Sequence, residues 1–371
     1  MTDTYCSMIH GGLHLNFKNN SVSGKHCCLR KEQFPIDIQT NFWTHDNFSN
    51  LREKNKNNVW DLGCSNCQRL EQSGHVSMRT GMNQGLKLQG NTELSGPARI
   101  DLMFDISCNL ACRTCGTHSS TFWQKHLKEH NLWTHPIFNP RHSNEVIHSL
   151  QQLDLSNLQQ IVFCGGETML GRSYWDVADW LADNVPNAKQ QLTVCFQTNG
   201  TQPIGEKNIK TIEKLHLLKL HISLDGVGKK FEYLRWPAEW NQVTDNILQI
   251  KQAAPSNVMF VIEETISVFN LLNTDEVLQW AQQNFSTNRE GDVIDHTKHL
   301  AIGEFSLLNC SEEYVIAMKG KRDQHLIPSN WKENPMEIGK MIKSIKQFDQ
   351  LRNQSFEKTF PELAGFYCRF L

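Results

Sequence analysis

Three cysteines fall within eight residues, in Cys108-Asn-Leu-Ala-Cys112-Arg-Thr-Cys115. Thiolates at this spacing in one loop can converge on a single soft metal centre. If the centre is a [4Fe–4S] cube, three protein ligands leave one iron open to a substrate or cofactor. A closed four-cysteine site instead mostly transfers electrons or holds structure. Zinc is the alternative, although structural zinc usually recruits a fourth ligand, which His118 could supply, and favours Cys-x2-Cys pairs.

A second group comprises Cys6, the Cys27-Cys28 pair and Cys64-Ser-Asn-Cys67. The Cys-x2-Cys motif is a bidentate clamp, and two distant thiolates would complete a four-ligand site for zinc or for iron and sulfide. Cys27 is favoured over Cys28 as one of them. His10, His14 and His26 are close enough in sequence to support such a centre, or are ordinary histidines. Glu71 and Arg79 either position this region or are surface charges. Cys164, Cys195, Cys310 and Cys368 stand alone.

Further polar residues follow apolar runs: Gly165-Gly166-Glu167, Thr198-Asn199-Gly200, Ser223-Leu224-Asp225-Gly226, and Ser267 with Asn270. Glycines let a backbone approach a ligand, and a carboxylate can receive an ammonium group. Asp225 reads equally as a helix N-cap. Arg235, flanked by Tyr233 and Trp236, has the planar fork suited to a carboxylate.

These residues need a frame. In 371 residues, 39% are hydrophobic and 20% charged, which predicts a globular chain with a real core. The formal charge of −2 gives no electrostatic reason to expect nucleic acid or an anionic membrane as partner. No run of about 18 apolar residues and no secretory signal pattern is present, so a cytoplasmic location is expected. In that compartment clustered thiols point to metal or catalysis before disulfides.

From Ala98 the pattern alternates. Strands are predicted at Arg99–Ile106, Gln160–Phe163, Leu192–Gln197, Leu218–Leu224, Val258–Ile266 and Glu304–Leu308. Helices are predicted at Ser119–His130, Ser173–Asn184, Lys207–Leu215, Gln242–Gln252, Thr274–Gln283 and Pro335–Leu351. Such alternation predicts an α/β fold with a parallel sheet, curved or closed into a partial barrel, whose sites lie at the carboxyl ends of the strands. Three units follow: an irregular one over residues 1–95, joined by a polar connector at Gly85–Gly96; the barrel over 96–310; and a helical extension over 311–371 packing on it.

The Cys-x3-Cys-x2-Cys loop after the first of these strands resembles the signature of the radical S-adenosylmethionine superfamily. Phe163-Cys164-Gly165-Gly166-Glu167, ending the second strand, resembles that family's Gly-Gly-Glu motif. Thr114 departs from the aromatic residue often found before the third cysteine. The resemblance spans roughly Arg99 to Leu308. It implies an incomplete (β/α)6 barrel with a [4Fe–4S] cluster on Cys108, Cys112 and Cys115. It also implies S-adenosylmethionine held by Gly165, Gly166 and Glu167 at its amine and by Arg235 at its carboxylate. Asn199, Ser223, Asp225 and Ser267 would contact its ribose or carboxylate, or the substrate. The amino-terminal segments resemble the auxiliary-cluster modules of twitch or SPASM-type relatives, most of which carry them after the barrel. That implies a second [4Fe–4S] cluster on Cys6, Cys27, Cys64 and Cys67, with Cys28 the substitute for Cys27.

The activity implied is reductive cleavage of S-adenosylmethionine to a 5′-deoxyadenosyl radical that modifies a C–H bond of a peptide or protein. An electron donor such as flavodoxin or ferredoxin is implied with it. The alternatives are the same chemistry on a sugar or nucleotide, and a non-catalytic metal-binding or electron-transfer protein. No winged-helix pattern precedes Cys6, which points away from a leader-dependent peptide. Cys310, after the sixth predicted strand, is expected either to return a hydrogen atom to a substrate radical or to be a structural thiol.

Overall fold

Alternation along the strands decides the architecture. In Leu217–Ser223 the residues Leu218, Leu220 and Ile222 are buried, while Lys219, His221 and Ser223 on the other face are only half-buried. One face therefore packs on helices and the other presents polar groups, as period-2 geometry requires. The computed structural model describes residues 4–18, 21–74, 76–86, 88, 90–138, 142–285, 295–328 and 331–370.

Nine strands form one sheet: β1 (Gly12–Lys18), β2 (Ser21–Lys25), β3 (Phe34–Ile36), β4 (Arg99–Met103), β5 (Gln160–Cys164), β6 (Thr193–Thr198), β7 (Leu217–Ser223), β8 (Val258–Ile266) and β9 (Asp295–Leu300). Their order is β3-β2-β1-β4-β5-β6-β7-β8-β9. The strands from β4 to β9 pair in parallel, and β1 pairs in parallel with β4. Helices Thr121–Glu129, Ser143–Leu150, Ser173–Asn184, Glu206–Glu213, Trp240–Ala253 and Thr274–Phe285 occupy the crossovers. Trp175, Val177, Ala178 and Leu181 of one helix join Ile161, Phe163, Val194 and Phe196 of the sheet in the main core. Truncating Phe163, which is fully buried there, would cost about 3–5 kcal/mol.

Three expectations are corrected. The sixth parallel strand is β9, whereas the predicted strand Glu304–Leu308 falls in two 3-10 turns, Gly303–Phe305 and Leu307–Asn309. Gly303 takes φ +74° and turns the chain. Phe305 and Leu307 then pack in a second apolar cluster with Tyr314, Met341 and Tyr367. The true strand, Asp-His-Thr-Lys-His-Leu, lies at the sheet edge, where polar residues are tolerated and discourage further pairing. The first 95 residues are not an irregular unit set apart: they supply β1, β2 and β3 to the same sheet. The connector is not simply polar, because Leu86 and Leu88 are buried beside Cys6, Met8 and Ile9. No helix among the described residues is long and apolar enough to cross a membrane.

Candidate active site at the carboxyl ends of the strands

The loop that follows β4 is held from several sides. Ala111 N–H and Arg113 N–H donate to the carbonyls of Trp236 and Leu234 at 2.8 and 2.7 Å. The Ser120 hydroxyl donates to the Leu110 carbonyl at 2.6 Å, and Trp123 Nε1 to the Cys112 carbonyl at 2.9 Å. Arg113 is fully buried, with its guanidinium 3.7 Å from the Tyr233 ring centroid and bonded to Asp349 at 2.5 Å. Helix Pro335–Arg352, which carries Asp349, thereby anchors the loop from the carboxyl-terminal end of the chain. This loop presents Cys108, Cys112 and Cys115 to one cavity of about 350 Å3, within the range of ordinary ligand pockets. Burial pushes all three thiols up, Cys108 to about 11.

Gly165, Gly166, Glu167, Asn199, Ser223 and Arg235 line the same cavity, so the structure brings these expected residues together with the cysteines. Gly165 takes φ +136°, and a Cβ there would stand 2.1 Å from the Asp105 carbonyl oxygen. At Gly166 a Cβ would stand 2.2 Å from the Ser107 carbonyl oxygen. The glycines thus let the ends of β4 and β5 approach so closely that Glu167 reaches the cavity. Its carboxylate accepts from the Thr198 hydroxyl at 2.7 Å, Asn199 N–H at 2.5 Å and Met169 N–H at 3.0 Å. Burial outweighs those bonds and pushes the carboxyl up to about 7. Asn199 donates from Nδ2 to the Cys108 sulfur at 3.9 Å and to Asn109 Oδ1 at 2.9 Å.

Arg235 lines the cavity, whereas Asp225 and Ser267 do not. Arg235 is ion-paired with Asp225 at 2.8 Å, and its Nη1 lies 3.9 Å from the Cys112 sulfur. Its carboxylate partner is therefore within the chain. Asp225 is fully buried, does not line the cavity, and accepts from Thr265 N–H at 2.8 Å. Nor is it an N-cap, since Gly228 precedes helix Lys229–Leu234. Ser267 is also fully buried away from the cavity lining, with its hydroxyl bonded to Asn270 Oδ1 at 3.1 Å. Both hold the chain after β7 and β8 in position.

A histidine–carboxylate group on the last strands was missed by the sequence reading. His221 Nδ1 lies 2.7 Å from Glu263 Oε1, and His299 Nε2 lies 3.5 Å from the same oxygen. Glu263 and His299 line the cavity. Burial alone would raise the Glu263 carboxyl, but bonds from both imidazoles hold it down at about 2. Burial likewise opposes the His221 imidazolium, yet the Cys195 sulfur and the Glu263 carboxylate raise it to about 9. The signal was present in the sequence: Glu263-Glu264 interrupts the apolar run of β8.

Cys6, Cys27, Cys64 and Cys67 line a second cavity together with Met8, Ile9, His26, Leu29, Arg30 and Trp60. Cys28 does not line it; its sulfur lies 3.7 Å from Met78 Sδ. Asn55 accepts from Cys6 N–H at 3.1 Å and from His10 Nε2 at 2.9 Å, so His10 fixes the chain here. His14 faces Asp101 at 4.0 Å on β4. Arg79 pairs with Glu71 and donates to the Tyr5 carbonyl at 2.6 Å, tying the segment before Cys6 to helix Met78–Gly85. His26 is fully buried with neither ring nitrogen partnered, and burial lowers it to about 3, which leaves it neutral. The cavity between the four cysteines has a volume of about 30 Å3. Among the described residues, no three His, Cys, Asp or Glu side chains are close enough to hold one metal ion. A tetrahedral zinc would draw thiolates to roughly 3.8 Å of each other.

Cys310 lies in neither cavity. It is fully buried in the second apolar cluster, and burial pushes its thiol up. The strand expected to carry it to the barrel mouth does not form there, which removes the ground for a hydrogen-atom donor at this position.

Among solved structures, native anSMEcpe with bound AdoMet is similar at 17% identity and a TM-score of 0.40, covering 69% of this chain and 62% of that one. Streptococcus suis SuiB bound to precursor peptide SuiA is similar at 12% identity and a TM-score of 0.37, covering 95% and 74%. The Escherichia coli coproporphyrinogen III oxidase HemN, a radical SAM enzyme, is similar at 11% identity and a TM-score of 0.34, covering 68% and 51%. The chain thus spans 62% of the length of anSMEcpe, and likeness at these TM-scores bears on neither substrate nor activity. No curated protein matches. The family description Radical SAM superfamily matches residues 106–270, from just before the cysteine loop to just past β8, and this part of the chain is a Radical SAM superfamily domain.

Proposed function

We propose that the protein reductively cleaves S-adenosylmethionine and uses the product radical to modify a C–H bond of a peptide or protein. The observation that carries the first half is the shared cavity: Cys108, Cys112 and Cys115 face Gly165, Gly166 and Glu167 across it. The donor set fits a three-ligand cluster with one iron open. When bound, the cluster and S-adenosylmethionine supply reductive S–C cleavage and a 5′-deoxyadenosyl radical. The chain supplies the rest. Glu167, held ionised by three donors once an ammonium adds its charge, orients the amine end. Ser223 and Asn199 face the body of the cofactor. Arg235 sets a positive charge beside Cys112, which favours its thiolate.

The second half rests on the four-cysteine cavity, because auxiliary clusters of this kind go with peptide modification in the family that the sequence resembles. Unpartnered, neutral His26 supports a cluster there, since its N–H can donate to a cluster sulfur. Cys27 serves as ligand in preference to Cys28. A cytoplasmic location and a flavodoxin or ferredoxin donor complete the reading. Anaerobic reconstitution, then incubation with dithionite and S-adenosylmethionine, should yield 5′-deoxyadenosine; reconstituted protein that forms none sinks the proposal.

A further inference from the structure

Beside the cysteine loop lies a third cavity of about 270 Å3, lined by Asn16, Phe17, Met103, Phe104, Ile106, Thr117, His118, Gln124, Trp133 and Phe138. His118 lines both this cavity and that of the cysteines, so the two adjoin at its ring. A cavity of about 150 Å3 already accepts benzene, so this one has room for an aromatic side chain and a polar group beyond it.

Its chemistry is specific. Four aromatic rings, those of Phe17, Phe104, Trp133 and Phe138, contribute to the wall, and no Asp, Glu, Lys or Arg does. A charge brought here would be left unpaired, which selects for a neutral guest. Asn16 is 3% exposed, and its Oδ1 has no hydrogen-bond partner. The indole Nε1 of Trp133 is likewise buried and unpartnered. Gln124 is already satisfied, donating to the Thr117 carbonyl at 2.7 Å and accepting from Phe138 N–H at 2.7 Å. The wall therefore holds one unpaired acceptor and one unpaired donor among its aromatic rings, with the polar groups of Thr117 and His118 beside them. A buried polar atom left unpaired costs about 1–3 kcal/mol, so a guest that pairs both is favoured over one that pairs neither.

We propose that this cavity binds the substrate, and that its guest is an uncharged amide beside an aromatic side chain. The amide N–H donates to Asn16 Oδ1, its carbonyl accepts from Trp133 Nε1, and the ring packs among the aromatic wall. This deepens the peptide reading above and rests on it for the placement of the radical. An N–H and a carbonyl are shared by peptide units and by nucleobase lactams; the unpaired acceptor and donor set in an aromatic wall favour the peptide unit with its aromatic side chain.

The test is calorimetric titration of N-acetyl-L-phenylalaninamide, with thymine as the lactam probe, into reconstituted protein. Wild type should bind the peptide amide at millimolar concentration and thymine more weakly. Trp133→Phe, which keeps the ring and removes the donor, should weaken binding by roughly tenfold, and Asn16→Leu by a similar factor. If Asn16→Leu fails to fold, Trp133→Phe decides alone. No binding to wild type, or equal binding to wild type and Trp133→Phe, overturns the proposal, and preference for thymine overturns the peptide assignment. Formation of 5′-deoxyadenosine by wild type is scored separately. Its absence alongside donor-dependent binding refutes the radical reading while the cavity assignment stands, and the converse result does the reverse.

Discussion

The two sets of thiols are assembled in opposite ways. Cys108, Cys112 and Cys115 come from one loop, pinned by backbone bonds to residues 234–236, and share their cavity with Glu167, Arg235, Glu263 and His299. Cys6, Cys27, Cys64 and Cys67 come from three separate segments and share theirs with Met8, Ile9, Leu29, Val59 and Trp60. The first surrounds its thiols with charges able to grip a zwitterion. The second surrounds four thiols with largely apolar walls and with cations that are already paired, Arg30 with Asp61 at 2.7 Å and Arg79 with Glu71. That is the difference the proposed reading requires between an open site for chemistry and a closed site for electrons or structure.

The largest expected effect separates the two. Replacing Cys108, Cys112 and Cys115 together by Ala should abolish 5′-deoxyadenosine formation and leave about half of roughly eight irons per chain, as for one remaining cube. Replacing Cys64 and Cys67 by Ala should also remove about half the iron while 5′-deoxyadenosine still forms. Iron analysis and product assay read both. If the amino-terminal change stops cofactor cleavage as completely as the barrel change, the contrast is wrong. Stoichiometric zinc with no visible charge-transfer band would refute both cluster assignments.

Next in size is Glu167→Gln. A charged hydrogen bond is worth about 1.5–3 kcal/mol, so affinity for S-adenosylmethionine should fall by roughly ten- to more than a hundredfold with iron content unchanged. Unchanged affinity would mean that the carboxylate, already accepting from Thr198, Asn199 and Met169, only ties β5 to β6.

This contrast also explains what could be read in advance. The strands β4 to β8 are apolar and short, each followed by a turn, and their positions are legible to within a few residues. The contiguous cysteine loop and Gly165-Gly166-Glu167 are legible for the same reason, since chemistry and chain order coincide there. β9 was not legible because an edge strand need not be apolar, and a more hydrophobic stretch nearby, Phe305 to Leu308, belongs to a different cluster. The strands β1 to β3 are broken by polar residues, and only pairing of Gly12–Asn16 with β4 makes them part of the sheet. Arg235 was legible as a carboxylate binder, but not that Asp225 is its partner, because that pairing depends on two chain turns meeting. His299 was illegible since nothing local marks it; its role comes from Glu263 on the neighbouring strand.

That histidine–carboxylate group gives a pH prediction peculiar to the barrel site. His221 is raised above its ordinary 6.5 to about 9, so its stabilisation is complete below about 6.5 and is lost as pH rises through about 9. Glu263 is held at about 2, so its contribution is present above its ordinary 4.5 and lost as pH falls toward 2. Both are full only between about pH 4.5 and 6.5. The difference in urea midpoint between wild type and Glu263→Gln should therefore be greatest in that window and shrink toward pH 9 and toward pH 2. A difference that stays flat from pH 5 to 10 would show that His221 carries no charge in the fold.

The smallest expected effect belongs to the closed site and concerns His26. Its imidazole is buried against Phe48 at 4.6 Å between ring centroids, and neither nitrogen has a partner. With burial lowering it to about 3, it is neutral at neutral pH and carries one N–H. Donation of that N–H to a cluster sulfur would stabilise the reduced, more negative state and raise the reduction potential. His26→Phe keeps an aromatic ring against Phe48 and removes the donor. One hydrogen bond of about 0.5–1.5 kcal/mol corresponds, for one electron, to a fall of roughly 20–65 mV. Redox titration followed by electron paramagnetic resonance should show that fall in the amino-terminal cluster only, with the barrel cluster's potential unmoved. A shift in both would mean that the substitution loosens the shared sheet, and a shift in neither would mean that the His26 nitrogens face no sulfur.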